Sequence, residues 1–519
     1  MSETKFLYGA AVQGIQSFIF QTNKLREIVG ASELVEEICS KKFYELLSGK
    51  KNIDSKMASE ELKKDNNCIL HAARNIKYIF DTKEKCEKIV REFPKTIFEF
   101  APGVTVSQAV VTMEGKYEKF EDAVNELEKR LRTQRNRPMR SATLGLMGIE
   151  RSRQTGLPVV DVIKVKKEMT RVDSGTRAKL DMFKHAVEPE FELTKSLCNI
   201  AFGKEKLYSR QIAYDIEKMT EKNDWVAIIH ADGNGLGQVV QAIGTNEKQF
   251  KEFSESLDKA TKAAAVGAYI AVKNKFNEDK FIPIRPIVLG GDDFTTICRA
   301  DIALDYVTEF INQFEIKTNF VSKYEKLKFD NLTACAGIAY IKSSFPFYYG
   351  YELAEALCSE AKKDAKANLK DGELAKSCLM FHKVQDSFTE DWSAIAKREL
   401  TPQENISFQF GPYYVKDKKE DSRWTVKELK DCVNKLDDKE GNAVKSHLRQ
   451  WMSLLHDNPE MAKQKLLHLK SMTTNNELLN LIKDVTFEYK NKDEQYKSPV
   501  YDILAIHTIN NQMTKEVEQ

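Results

Sequence analysis

The sequence has no Cys-x-x-Cys pair. Its nine cysteines (Cys39, Cys68, Cys86, Cys198, Cys298, Cys335, Cys358, Cys378 and Cys432) are scattered along 519 residues. That pattern argues against a zinc ribbon, a thioredoxin-type redox motif and a disulfide framework. No run of about 18 apolar residues occurs, so no membrane span is expected. The start, MSETKFLYG, lacks the basic-then-apolar layout of a signal peptide. Excess charge is also missing: 80 basic residues face 78 acidic ones, a net of +2. This excludes a uniformly basic nucleic-acid binder and an acidic disordered chain, but not a local basic patch. The expectation is a cytoplasmic mixed α/β protein with free thiols.

What is present suffices for a large core, with 42% hydrophobic and 10% aromatic residues. The length suggests about three or four domains. Lys5–Val12 reads as a short strand, with helical spacing from Leu34 onward and Ser32 as the expected N-cap. Cys68–Ala73 and Ile76–Phe80 read as strands around a turn at Arg74–Asn75. A helix near Lys83–Phe93, the strand Val104–Met113 and a helix near Tyr117 follow. This order is β-α-β-β-α-β, the ferredoxin-like unit. It then recurs, as the strand Trp225–Ala231, the helix Phe250–Phe276, strands Pro286–Leu289 and Phe294–Arg299, the helix Ile302–Phe314, the strand Leu332–Ile341 and the helix Leu353–Lys366.

The two halves superpose on paper. Gln13-Gly14 falls where Asp232-Gly233 stands, and Ala72-Ala73-Arg74-Asn75 falls where Gly290-Gly291-Asp292-Asp293 stands, at nearly equal separations. The reading is a duplication whose first copy has lost its carboxylates; two unrelated units side by side would give the same order. The expected fold class is α+β. Its expected parts are a degenerate first palm (1–130), an Arg-rich linker (131–222), a GGDD palm (223–386) and a helical C-terminal domain (387–519).

In a ferredoxin-like sheet the first and third strands are antiparallel neighbours. Asp232, at the end of one, therefore meets Asp292 and Asp293, at the start of the other. Carboxylates so placed repel unless a hard cation lies between them, and oxygen ligands with open positions suit Mg²⁺ or Mn²⁺. Two such ions are expected, activating a hydroxyl and stabilising a leaving oxygen. Gly290-Gly291 allows a tight turn close to a ligand. Gly233, Asn234 and Gly235 lie in a glycine-rich turn whose free amides can meet phosphate. DGNGLG alone reads better as an ordinary turn, and GGDD alone equally well as a hairpin with acidic tips; the two at matching strand ends favour a metal site. Lys362 could reach a triphosphate as a point charge, although Lys363 and Lys366 on the same helix compete with it.

HADGNGLG (230–237), LGGDDF (289–294), LTACAGIAYI and AEALCSEAK, ending at Lys362, resemble the GGDEF/palm nucleotidyltransferase superfamily. With IQSFIFQTNKLREIVGASELVEEI, the chain looks more closely like the large polymerase-cyclase subunit of type III CRISPR effector complexes. ERSRQTGLPVV (150–160) is similar to that family's knuckle, without its zinc cysteines. The resemblance implies joining of ATP, 3′-hydroxyl onto α-phosphate, into a cyclic oligoadenylate or cyclic dinucleotide messenger in antiviral defence. It implies that Asp232, Asp292 and Asp293 hold two divalent ions. Gly290 and Gly291 would lie under the nucleotide, Lys362 would touch the triphosphate, and Ser32 and Arg26 would offer a second ATP surface. The family's HD nuclease is absent from the sequence, so no DNA cleavage is expected. His456-Asp457 reads as a turn.

Other readings stay open. The protein could be a non-catalytic RNA-binding scaffold that uses Arg132, Arg135, Arg137 and Arg140, or a GTP-using cyclase. It could work with other CRISPR effector subunits, or stand alone beside a messenger-responsive effector. His230 should point away from Asp232, because side chains alternate on a strand.

Overall fold

The computed structural model describes residues 4–71, 75–136, 148–165, 168–182, 192–193, 196–220, 225–243, 247–367, 369–370, 372–386, 391–416, 418, 423–437, 439–487 and 495–514. The expected turn at Arg74, together with Arg137 and Arg140, lies outside these residues. Among them, no helix is long and apolar enough to cross a membrane.

The first unit contains β1 (Lys5–Gln13), α1 (Leu25–Glu37), β2 (Cys68–His71), β3 (Asn75–Phe80), α2 (Lys83–Phe100), β4 (Thr105–Met113) and α3 (Phe120–Arg135). Its sheet runs β2-β3-β1-β4, with β1 antiparallel to both neighbours. Helix α1 begins at Leu25, because Leu25, Ile28 and Val29 already supply the buried face. Ser32 is therefore inside the helix, not its N-cap. Its hydroxyl donates across to the main-chain carbonyl of Ile287.

The linker includes the hairpin β5 (Asp161–Val165) and β6 (Glu168–Val172), then α4 (Ser174–Asp181), capped by Asp173 through the amide of Thr176. The 150–160 segment closes on itself with a bridge between Arg151 and Pro158. Gln154 docks it on the start of α1, donating to Thr22 Oγ1 at 2.5 Å and Glu27 Oε2 at 2.7 Å. Side-chain hydrogen bonds thus fix a segment that has no cysteines to bind zinc.

The second unit contains β7 (Trp225–Asn234), α5 (Leu236–Ile243), α6 (Glu247–Val272), β8 (Ile284–Gly290), β9 (Asp293–Arg299), α7 (Ala300–Lys317), β10 (Thr333–Lys342), α8 (Phe347–Lys366) and β11 (Cys378–Lys383). Strand β12 (Tyr413–Tyr414) completes the sheet order β8-β9-β7-β10-β11-β12. The first four strands repeat the order of the first unit. The last two are additions, with β11 parallel to β10. The sheet reaches past residue 386, where the catalytic palm was expected to end.

The C-terminal region is mainly helical: α9 (Val426–Asn434), α10 (Lys439–Asp457), α11 (Pro459–Met472), α12 (Asn476–Val485) and α13 (Val500–Thr514). Apart from β12, Ile406–Ser407 pairs with Tyr496–Lys497. His456-Asp457 ends α10, and Asn458 caps the next helix. Both palms and the helical region share one buried apolar cluster.

Candidate active site

Strand β7 is buried as far as Ala231, and apolar but for His230; Asp232 is the first residue to emerge. In register, Asp293 stands directly opposite Asp232 on the antiparallel neighbour β9. Asp292 lies in the turn just before it. Gly291 takes φ +62°, which a side chain would strain. Its carbonyl accepts from Thr261 Oγ1 of α6 at 2.5 Å, fixing the turn against a long helix. The carboxylates thus come together as the topology requires.

The electrostatics record that crowding. The Asp292 carboxyl is pushed up to about 7, first by burial, then by the nearby charges of Asp293 and Asp232. Lys362 of α8 supplies the counter-charge. Its Nζ donates to Asp232 Oδ2 at 2.5 Å and to the Gly233 carbonyl at 2.9 Å. Lys363 instead pairs with Glu360 on an exposed face. Among the described residues no three His, Cys, Asp or Glu side chains already converge as a finished ligand set. The donor types are those a hard cation takes: Asp232 near one strand end, Asp293 at the start of its neighbour, Asp292 in the turn and the Gly233 carbonyl beside them.

The remaining expected residues divide. Gly233 borders the corner, where a Cβ would meet that of Asp292 at 3.0 Å, whereas Gly235 faces Leu332 and Leu374. Asn234 turns into the sheet, where its Nδ2 donates to Thr333 Oγ1 and Cys335 Sγ, and it is 2% exposed. Its side chain is therefore not offered to a nucleotide: it shares a face with Asp232, but Thr333 and Cys335 take its amide. Ser32 is consumed by Ile287. Arg26 pairs with Asp215 at 3.5 Å in a separate cleft with Tyr214, Ser343 and Ser344. Neither is brought to the carboxylates. Arg132 and Arg135 are exposed on α3. His230 was expected to point away from Asp232, but residues two apart on a strand share a face: its ring lies edge-on to Tyr351 of α8, centroids 5.7 Å apart, with Nδ1 3.1 Å from Thr295 Oγ1.

A cavity between the palms opens behind Gly290 and Gly291, lined by Glu36, Ser59, His71, Asp258 and Lys262 among others. His71 is held neutral there: burial, then Lys63, pushes it down to about 4. Sequence reasoning missed this wall, although Asp258 and Lys262 carry a visible signal as an i,i+4 pair, 2.7 Å apart. The corresponding end of the first palm forms a second hollow with Gln13, Gly14, Ser17, Tyr348, Tyr351, Glu352 and Glu355.

A ferredoxin-like sheet with carboxylates at adjacent ends of its first and third strands defines a palm domain. The particular palm is a Cas10-like one: residues 225–370 match the family model described as Cas10/Cmr2, second palm domain. No curated protein matches the chain. Solved structures do match. A Csm1-Csm4 cassette in complex with cA3 is 13% identical, over 98% of this chain and 70% of that one, with a TM-score of 0.55. Csm1 in T. onnurineus is 13% identical over the same shares, with a TM-score of 0.53. A Csm1-Csm4 subcomplex of the type III-A CRISPR-Csm interference complex is 13% identical, again over 98% and 70%, with a TM-score of 0.51. At these identities the likeness is one of fold. The chain resembles the large subunit of type III CRISPR effector complexes.

Proposed function

We propose that the protein is a metal-dependent nucleotidyltransferase that joins ATP molecules, 3′-hydroxyl onto α-phosphate, into a cyclic oligoadenylate or cyclic dinucleotide. The observation that carries this reading is the register pair Asp232–Asp293, with Asp292 beside it and Lys362 across from it. In each step the 3′-oxygen loses its proton and bonds to the α-phosphorus, and pyrophosphate leaves. Asp232, Asp292 and Asp293 would hold two Mg²⁺ or Mn²⁺ ions, which when bound favour ionisation of the hydroxyl and stabilise the leaving oxygen. Lys362 brings one positive charge to the triphosphate. Gly290 and Gly291 leave the nucleotide room against the turn, and the cavity behind them gives a base or ribose a place between the palms.

The fold relatives extend the reading. One is solved with cA3 and another as part of an interference complex. By analogy we propose a cyclic oligoadenylate as product, another CRISPR effector subunit as partner and antiviral signalling as the role. The test is incubation of the pure chain with ATP, and separately GTP, with Mn²⁺ or Mg²⁺, alone and with the neighbouring effector subunits and RNA. Pyrophosphate and a cyclic product should appear with ATP. The Asp292→Ala/Asp293→Ala double variant should lose at least about 100-fold of the rate, the scale of losing a main electrostatic element of a site. Equal behaviour of wild type and double variant sinks the assignment.

A further inference from the structure

A lysine salt-bridged to a carboxylate is ordinarily a surface decoration of small energetic weight. Lys362 is placed differently. Its ammonium lies 2.5 Å from Asp232 Oδ2 and 2.9 Å from the Gly233 carbonyl. A carboxylate oxygen and an adjacent main-chain carbonyl are the oxygen types that a hard divalent cation takes. The ammonium thus stands on ligands that a metal would need, beside two more carboxylates, Asp292 and Asp293.

We propose that Lys362 is a place-holder in the free protein: its ammonium occupies the cation position at Asp232 and must leave before a divalent ion is fully bound there. The inference deepens the nucleotidyltransferase reading and rests on it. Its consequence is regulatory. A cation entering alone displaces a charge already at home, and the freed ammonium loses its partner. With a triphosphate present, the ammonium has phosphate oxygens to move to. Metal and nucleotide therefore enter together, and the empty site resists a metal ion on its own. The geometry allows the exchange. Both side chains retain solvent access, 20% for Lys362 and 33% for Asp232. The lysine stem is flexible, with a compact charge at its tip.

The test is Mn²⁺ binding to the full chain without nucleotide, measured by isothermal titration and by the electron paramagnetic resonance signal of free Mn²⁺. Lys362→Met keeps the stem and removes the charge. It should bind Mn²⁺ roughly tenfold more tightly than wild type, a shift within the range of ordinary site-to-site coupling. Lys362→Gln should do the same and covers the case in which the methionine variant folds poorly. Lys362→Arg keeps a competing cation and should stay near wild type, as should Lys363→Met. Equal or weaker Mn²⁺ binding by folded Lys362→Met and Lys362→Gln overturns the place-holder. If wild type still makes cyclic product in that case, the nucleotidyltransferase reading survives. If no variant binds Mn²⁺ even with ATP, and no product forms, both fail.

Discussion

Asp502 is an acid buried in the helical region, 6% exposed, accepting from the Tyr413 hydroxyl at 2.6 Å. Burial pushes its carboxyl up to about 7, against the opposing pull of that hydrogen bond. A carboxyl raised on folding favours the native state while it is protonated. This contribution is complete below the unfolded value near 4 and is lost as pH rises through about 7. The difference is on the order of 4 kcal/mol. Asp502→Asn keeps an acceptor for Tyr413 and cannot ionise. Its melting temperature, relative to wild type, should therefore rise between pH 5 and pH 8; a constant offset would show that Asp502 does not titrate there. Single residues also mark the limits of sequence reading. Asp232, Asp292 and Asp293 were legible because strand topology alone unites them. Asn234 was not, because its amide is taken by Thr333 and Cys335 on a neighbouring strand about 100 residues away in sequence. Lys362 could not be told from Lys363 without a distance.

Among the elements, α8 is held by close backbone contact. A Cβ on Gly337 of β10 would come within 2.0 Å of the Ala354 carbonyl oxygen and 2.5 Å of the Cys358 amide nitrogen. These are main-chain atoms of α8, so the helix itself must move. Gly337→Ala should cost roughly 1–3 kcal/mol by overpacking, read as a lower melting temperature. Cyclic product should also fall although no site residue has changed, since Lys362 rides one turn beyond Cys358. Strand β10 was plain in the sequence from its unbroken apolar run. The additions were not: β12 is only two residues long, too short for any period to show. The start of α1 was misplaced for a related reason. A serine before an acidic-apolar stretch imitates a cap, and only burial reveals that the helix had begun at Leu25.

Across the whole molecule, the palms are joined through Tyr351. Its ring stacks on Phe20 with centroids 4.6 Å apart, and its hydroxyl accepts from Gln16 Nε2 at 2.6 Å. Nearby, the Phe347 amide donates to Asn23 Oδ1 at 3.0 Å. Tyr351→Ala should cost about 3–5 kcal/mol, and thermal unfolding should separate into two transitions as the palms come apart. Tyr351→Phe keeps the stack and should lose only about 1 kcal/mol. A single unshifted transition in both variants would show that the palms do not depend on this contact. The repeated strand order was legible from spacing. The contact was not, because it joins side chains that no period relates.

The short strand β12 leads to one more result. The Tyr414 hydroxyl donates to Asp364 Oδ1 at 3.0 Å, and Arg423 pairs with the same carboxylate. Asp364 lies two residues beyond Lys362 on α8. Strand β12, at the sheet edge, and Arg423, just before α9, therefore grip the last turn of the helix that carries the site's ammonium. Mechanically it is a lever arm clamped beside its load. A displacement of the helical region would reach α8 at Asp364 by way of the sheet's last strand and Arg423.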